Sequence, residues 1–299
     1  MPETKAKWRL LDSGPGVAAR NMAVDEALLL EHAAGRTGPT LRFYRWDPPA
    51  LSIGHFQTVQ GEVNLNALQQ EGFGWVRRLT GGRAVLHWAD LTYSVVVGEA
   101  VLSGSVVETY RLLSAGLLAG LALLGVKAEL GAPAPAGREK QAAGVQQAAC
   151  FAVPSSYELL VNGKKLIGSA QVRQKNTILQ HGSLLLDFDP YLLARVTGPG
   201  DRAASLSSLY KARVTSLREV LGFSPPHGEL VAAMAQGFAR ALGISLVPGT
   251  LTREEESLAA GLAGKYAGPE WNARHRAGRS GLISPRIPLN LLGGGTGCI

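Results

Sequence analysis

Stretches of alternating apolar and polar residues give way repeatedly to stretches with an apolar residue every three or four positions. The first period marks strands and the second marks helices. Trp8 to Ser13 predicts a short strand, which Gly14-Pro15-Gly16 is expected to break. Val17 to Ala34 predicts a helix, with Met22, Ala23, Leu28 and Leu29 on its apolar face and Asp25 and Glu26 set within it. Thr40 to Trp46 and Ala50 to Gly54 predict strands, Asn64 to Glu71 a short helix, and Trp75 to Arg78 and Leu91 to Val97 further strands. Ser103 to Leu124 predicts a long helix, with Ser105 as N-cap and Glu108 three residues on in the pattern of a capping box. Tyr157 to Val161, Lys165 to Arg173 and Thr177 to Leu186 predict a meander, turned at Asn162-Gly163 and at Gln174-Lys175-Asn176. Helices are expected at Tyr191–Thr197, Leu230–Leu242 and Thr252–Tyr266, the last with Glu254, Glu255 and Glu256 in its first turn.

Interleaved strands and helices, with the strands joined mostly by hairpins, predict an α+β fold. Its sheet is mixed, largely antiparallel and flanked by helices. Residues 1–248 are expected to form the main domain, 249–276 a C-terminal helical extension and 277–299 a flexible tail of Gly, Ser, Pro and Arg composition. Residues 130–149, rich in Gly, Ala, Pro and Gln, predict a long loop.

The 299 residues are 46% hydrophobic and 18% charged, enough to fill a large core. Leu112 to Val126 is the most apolar stretch, but it is shorter than the roughly 20 residues of a membrane span, so a buried helix is expected there. No apolar segment follows the N-terminal charges, so no signal peptide is expected. Two distant cysteines make neither a disulfide framework nor a zinc site, and a reducing compartment is expected. The net charge of +7 is spread along the chain, with Arg274, Arg276, Arg279 and Arg286 concentrated near its end. Such a balance suits nucleic acid or an acidic protein partner, and charge alone does not choose.

Three strings carry candidate chemistry. Cys150 is one of two cysteines and ends the small-residue loop; a lone thiol near an amine is an acyl acceptor, or else simply a small buried hydrophobe. The string from Arg77 to His87 places two arginines before a Gly81-Gly82 turn, then Arg83 and His87. Paired glycines let backbone N–H groups approach an anion or carbonyl, although an ordinary hairpin has the same look. In the third string Lys165 precedes the small residues Gly168, Ser169 and Ala170, which leave room for a ligand against a sheet. Simple alternation places Lys165, Ile167 and Ser169 on one face and Lys164 on the other. His181 and Ser183, on the next strand, face the same candidate pocket or form part of a satisfied interior.

Together the segments Arg77–His87, Ala149–Glu158 and Lys164–Gln171 resemble those of the biotin/lipoate protein ligase superfamily. Within it the likeness is to the LipM-type octanoyl-[acyl-carrier-protein]:protein octanoyltransferases, and it runs from about Trp8 to Asn272. The resemblance implies a class II synthetase/biotin-lipoyl ligase-like fold. It places the nucleophile at Cys150 and the family's characteristic lysine at Lys165. Arg77, Gly81, Gly82, Arg83, His87, Gly168, Ser169, Ala170 and His181 are then expected to bind substrate. Octanoyl-acyl carrier protein would be the donor. A lysine of a lipoyl domain, on glycine cleavage H protein or a dehydrogenase E2 subunit, would be the acceptor.

No metal, cofactor, nucleic acid or membrane is expected, and the family implies a cytoplasmic monomer. Lipoate ligases are usually glycine-rich where this chain has Thr80 and Arg83, which argues against ATP use. The LipB-type branch carries its cysteine after the meander, where this chain has none. The alternatives are an ATP-dependent lipoate–protein ligase, an amidotransferase moving octanoyl between lipoyl domains, and a non-catalytic binding module.

Overall fold

The computed structural model describes residues 5–131, 158–197 and 202–274. Cys150, the predicted tail 277–299 and all but the first two residues of the predicted 130–149 loop lie outside the described residues, and Leu130 belongs to a short strand instead. The main sheet has eight strands in the order β11-β1-β2-β6-β10-β9-β8-β7. These are β1 (Lys7–Gly16), β2 (Thr40–Trp46), β6 (Asp90–Gly98), β7 (Glu129–Leu130), β8 (Leu159–Val161), β9 (Lys164–Gln174), β10 (Thr177–Leu185) and β11 (Ser245–Pro248). A second sheet joins β3 (Ala50–Ile53) to β4 (Gly74–Arg77) in parallel and to β5 (Val85–His87) antiparallel. The large sheet is mixed: β1 pairs in parallel with β2 and β11, and the remaining neighbours are antiparallel.

Hairpins are fewer than expected. In the large sheet only β8–β9 and β9–β10 are joined by tight turns, at Asn162-Gly163 and Lys175-Asn176, all four residues having positive φ. The other antiparallel partners meet across long connections. Gly14-Pro15-Gly16 does not end β1 either. A register shift between Asp12 and Pro15 carries the strand on to pair with Arg45 and Trp46. β11 pairs with β1 only as far as Leu10, so Pro15 removes no donor from that side of the ladder.

One face of the large sheet packs on α3 (Val106–Leu123) and on the helix from His227 to Leu242, labelled α7 below. It buries Phe43, Tyr93, Ile167 and Leu184 with Leu113, Leu117, Leu121 and Phe238. α3 starts with the predicted capping box at Ser105 and Glu108. The helices cross closely because a Cβ on Gly237 would fall 2.3 Å from the backbone nitrogen of Gly120. The long apolar helix is thus packed against a neighbouring helix, as its short apolar stretch predicted.

The other face is covered by α1 (Ala18–Ala33), by the three-stranded sheet, and by α8 (Arg253–Ala267) packed on α1. The capping box at Thr252 and Glu255 starts α8. Glu255, fully buried, bonds Arg9 of β1, and Lys265 of α8 bonds Glu26 of α1. A third cluster gathers α2 (Leu65–Gln70), α4 (Pro190–Val196) and α5 (Ala203–Arg213) around β3 and β5. α6 (Leu217–Leu221) and α9 (Pro269–Asn272) complete the described elements. α5, α6, α9, β7 and β11 have no counterpart among the expected elements. Ala203, Leu206 and Tyr210 do carry a helical spacing, but in a Ser-rich setting.

Candidate active site

Sheet register builds the site. Directly paired strand residues share a face, so the pairings run two rows across the second face. One row is Arg42, Ser94, His181 and Ala170; the other is Tyr44, Thr92, Ser183 and Gly168. The opposite face carries Phe43, Tyr93, Gly182 and Ser169. Large polar groups at one end of each row thus meet a one-carbon or absent side chain on β9, which keeps that end low.

Asp25 of α1 plugs the first row. Its Oδ1 accepts from Arg42 Nη1 at 2.7 Å and from Ser94 Oγ at 2.8 Å. Its Oδ2 accepts from the Tyr44 hydroxyl at 2.9 Å and lies 3.1 Å from His181 Nδ1. Burial by itself raises the Asp25 pKa, but the His181 hydrogen bond and the Arg42 charge outweigh it, and the net shift is downward. Burial is the largest influence on His181 and lowers its pKa against the pull of Asp25. The ring is therefore neutral at neutral pH, with its Nδ1 proton directed at Asp25. Its Nε2 accepts from the Thr80 hydroxyl at 2.7 Å.

A second chain of the same kind lies beside it. Asp90 Oδ2 accepts from His87 Nδ1 at 2.9 Å, from Thr92 Oγ at 2.9 Å and from Ser183 Oγ at 2.6 Å. His87 Nε2 meets Ser52 Oγ at 2.8 Å, and the ring stacks on Trp46 with centroids 3.9 Å apart. Arg78 joins the two chains. It donates to Ser52 Oγ at 2.8 Å, lies 3.4 Å from Thr80 Oγ, and holds the carbonyls of Gly81 and Arg83 at 3.0 Å each. The Gly81–Arg83 loop is thus fixed over the His181 face by two buried Asp–His–hydroxyl chains. Close approach adds a further constraint: a Cβ on Gly54 would lie 1.9 Å from the Gly82 carbonyl oxygen, and Gly82 has φ of +90°.

Lys165 reaches this face by a bulge. Leu159 pairs with Ile167 but Leu160 pairs with Lys165, so one step on β8 spans two on β9. Leu159 and Ile167 belong to the apolar face. Lys165 consequently lies on the opposite face, with Gly168, Ala170 and His181. Strict alternation had put it with Ile167 and Ser169, and the extra residue reverses that assignment. Beyond the end of β10, Val214 bridges Lys165 and the Thr215 N–H bonds its carbonyl at 3.0 Å. The Lys165 ammonium forms a short ion pair with Glu158, both residues being under 5% exposed. Lys164 pairs with Val161 of the apolar face, so the same bulge moves it too, and at the sheet's margin it bonds Glu219 at 2.7 Å.

Gly81, Gly82, Arg83, Gly168, Ala170, His181 and Lys165 are thus gathered on one face or on the loop above it, while His87, in β5 of the smaller sheet, packs against that face through Asp90. Two predicted residues fall elsewhere. The Ser169 hydroxyl points to the apolar face and bonds Tyr93 at 2.8 Å, because its strand position alternates with Gly168 and Ala170. Arg77 is fully buried and directs its guanidinium at carbonyls of Gly54, Gln57 and Asn272, 2.7 to 3.1 Å away. A buried cation needs acceptors, and the turn after β3 and the end of α9 supply them. Arg77 therefore acts as a clamp between the turn after β3 and the end of α9.

Asp25, Ser52, Arg78, Thr80, Asp90 and Glu158 are the residues that sequence reasoning left out. For Asp25 a signal existed: it lies three positions after Met22 and three before Leu28, on the buried side of α1. Among the described residues, no group of three or more His, Cys, Asp or Glu side chains is arranged to hold a metal ion.

A mixed sheet with a Gly-Gly loop and a buried lysine on one face, covered by helices on both, is the fold of the biotin/lipoate ligases. The chain belongs to the family of the lipoyl protein ligase A/B catalytic domain, whose model matches residues 17–239. It is 51% identical over 271 residues to octanoyltransferase LipM of Kyrpidia tusciae, covering 89% of this chain and 98% of that one. To octanoyltransferase LipM of Symbiobacterium thermophilum it is 49% identical over 273 residues, covering 90% and 99%. Among solved structures it superposes on a bipartite lipoate protein ligase of Thermoplasma acidophilum with a TM-score of 0.74 and 26% identity, over 90% of this chain and 96% of that one. On a lipoate-protein ligase A bound with ATP the TM-score is 0.72, with 28% identity and coverage of 90% and 99%.

Proposed function

We propose that this protein transfers an octanoyl group from acyl carrier protein to a lysine of a lipoyl domain, in lipoate biosynthesis, through a thioester on Cys150. In the first step the Cys150 thiolate attacks the donor thioester carbonyl and expels the carrier thiolate. In the second, the neutral amine of the acceptor lysine attacks the enzyme thioester. The amide forms, and the amine's proton goes to the leaving Cys150 sulfur. Thioester to amide is downhill, so neither step needs ATP. Lys165 donates a hydrogen bond to the acyl carbonyl and favours the thiolate. The N–H groups of the Gly81–Gly82 loop and Gly168 offer oxyanion donors. The face carrying Gly168, Ala170 and His181 takes the acyl chain, whose burial is worth about 0.8 kcal/mol per CH₂.

The identity to octanoyltransferases over nearly their whole length carries this reading. The burial of Lys165 on the same face as Gly168 and Ala170 supports it.

The test offers octanoyl-acyl carrier protein, octanoylated glycine cleavage H protein, and free lipoate with Mg-ATP as separate donors to an apo lipoyl domain. Only the first should modify the acceptor, and Cys150→Ser should abolish it. Modification that needs Mg-ATP and survives Cys150→Ser would make the protein a ligase. Use of the octanoylated H protein alone would make it an amidotransferase.

A further inference from the structure

Glu158 is a buried acid that the mechanism above does not use. Its backbone is fixed in the ladder, with the Gly131 N–H bonding its carbonyl at 2.7 Å. It precedes Leu159, a residue of the apolar face, so Glu158 falls on the other face, beside Lys165. The bulge that turns Lys165 toward Gly168 and Ala170 therefore also brings it onto Glu158. With side chains only 3% and 5% exposed, the pair sits where water cannot solvate either charge. A lone ammonium in such a place shifts toward its neutral form, and a contacting carboxylate keeps it charged.

We propose that Glu158 is a positioning residue for Lys165, holding the ammonium charged and fixed on the Gly168–Ala170–His181 face. Lys165 thus acts as a fixed, charge-assisted donor to the acyl carbonyl more than as a free point charge. Among the described residues, the ionisable groups on neighbouring elements include His181 of β10, Glu129 of β7, Lys211 and Arg213 near the end of α5, and Lys164, which is paired with Glu219 of α6. Its catalytic consequence rests on the transferase reading; its positional content does not.

Two measurements keep these apart. The first follows Lys165 by NMR in protein labelled with ¹³C-lysine, its signal assigned by loss in Lys165→Met. In Glu158→Gln the Lys165 titration moves to lower pH than in the wild type. The second is single-turnover octanoyl transfer against pH. Glu158→Gln is roughly 100-fold slower at neutral pH, and the alkaline limb of its profile moves to lower pH. KM for the acceptor is unchanged. Glu158→Asp, which keeps the charge at a longer reach, recovers part of both effects and serves if Glu158→Gln does not fold. An unmoved Lys165 titration overturns the inference. So does a Glu158→Gln rate within about twofold of wild type with an unshifted profile. If the titration moves while the wild type never carries an octanoyl group, the transferase reading fails and the positioning of Lys165 stands.

Discussion

Oδ2 of Asp25 lies 3.1 Å from Nδ1 of His181, across 156 positions of sequence. The same carboxylate holds Arg42, Tyr44 and Ser94, and all five side chains are buried. Asp25→Asn keeps the shape but leaves the Arg42 guanidinium without its counter-charge. Breaking a buried pair from one side costs about 3–5 kcal/mol. Chemical denaturation should show a loss of that order. A loss below about 1 kcal/mol would mean that Arg42 finds another acceptor.

The Gly81–Gly82 loop depends on contact with Gly54. A Cβ there would overlap the Gly82 carbonyl, so one backbone or the other must shift. Gly54→Ala should therefore slow single-turnover octanoyl transfer by at least about tenfold, since small misplacements at a reacting centre are costly. Gly228→Ala meets no atom within 4 Å and is the control. Equal rates for the two variants would remove the loop from the oxyanion site.

Stability should fall in mild acid through His55. Burial, then the charges of Arg274 and Arg77, push its pKa from 6.5 down to about 4. Between these values the unfolded chain binds a proton that the folded chain refuses, so unfolding gains as pH drops from 6.5 toward 4. Above 6.5 both forms are neutral and the effect vanishes. Asp25, with a lowered pKa, stabilises the fold above its unfolded value of 3.8, and that contribution is lost below it. Melting temperature against pH should decline over the 6.5–4 window in the wild type and more gently in His55→Gln. Parallel curves would contradict the assignment.

Arg77 ties the end of α9 to the turn after β3. Arg77→Leu should free the C-terminal segment, so limited trypsinolysis at Lys265 and Arg274 should quicken. The KM of the folded fraction for the donor should stay unchanged. A raised KM with unaltered cleavage would restore Arg77 to the substrate site.

Most of this architecture was legible in the periodicity. The capping box at Ser105, the acidic first turn after Thr252, the Asn162-Gly163 turn and the apolar strands all carry local signals. What was lost came from longer range. Lys165 changes face because of a single bulged residue, and bulges leave no mark in an apolar–polar pattern. The alternation of Ser169 with Gly168 was visible, but not which face holds the chemistry. Glu158 and Asp25 matter through partners 7 and 156 positions away, which only the folded chain brings near. Arg77 stands in a motif-like string, and no local pattern shows that its guanidinium bonds both the turn after β3 and a helix 195 positions further on.

The most direct test of the covalent route is the intact mass of the protein after incubation with octanoyl-acyl carrier protein and no acceptor. Wild type should gain one octanoyl group, borne on Cys150, and lose it when an apo lipoyl domain is added; Cys150→Ala should gain none. A wild-type mass that never changes while the acceptor is still octanoylated, or a gain that survives Cys150→Ala, would contradict the acyl-enzyme.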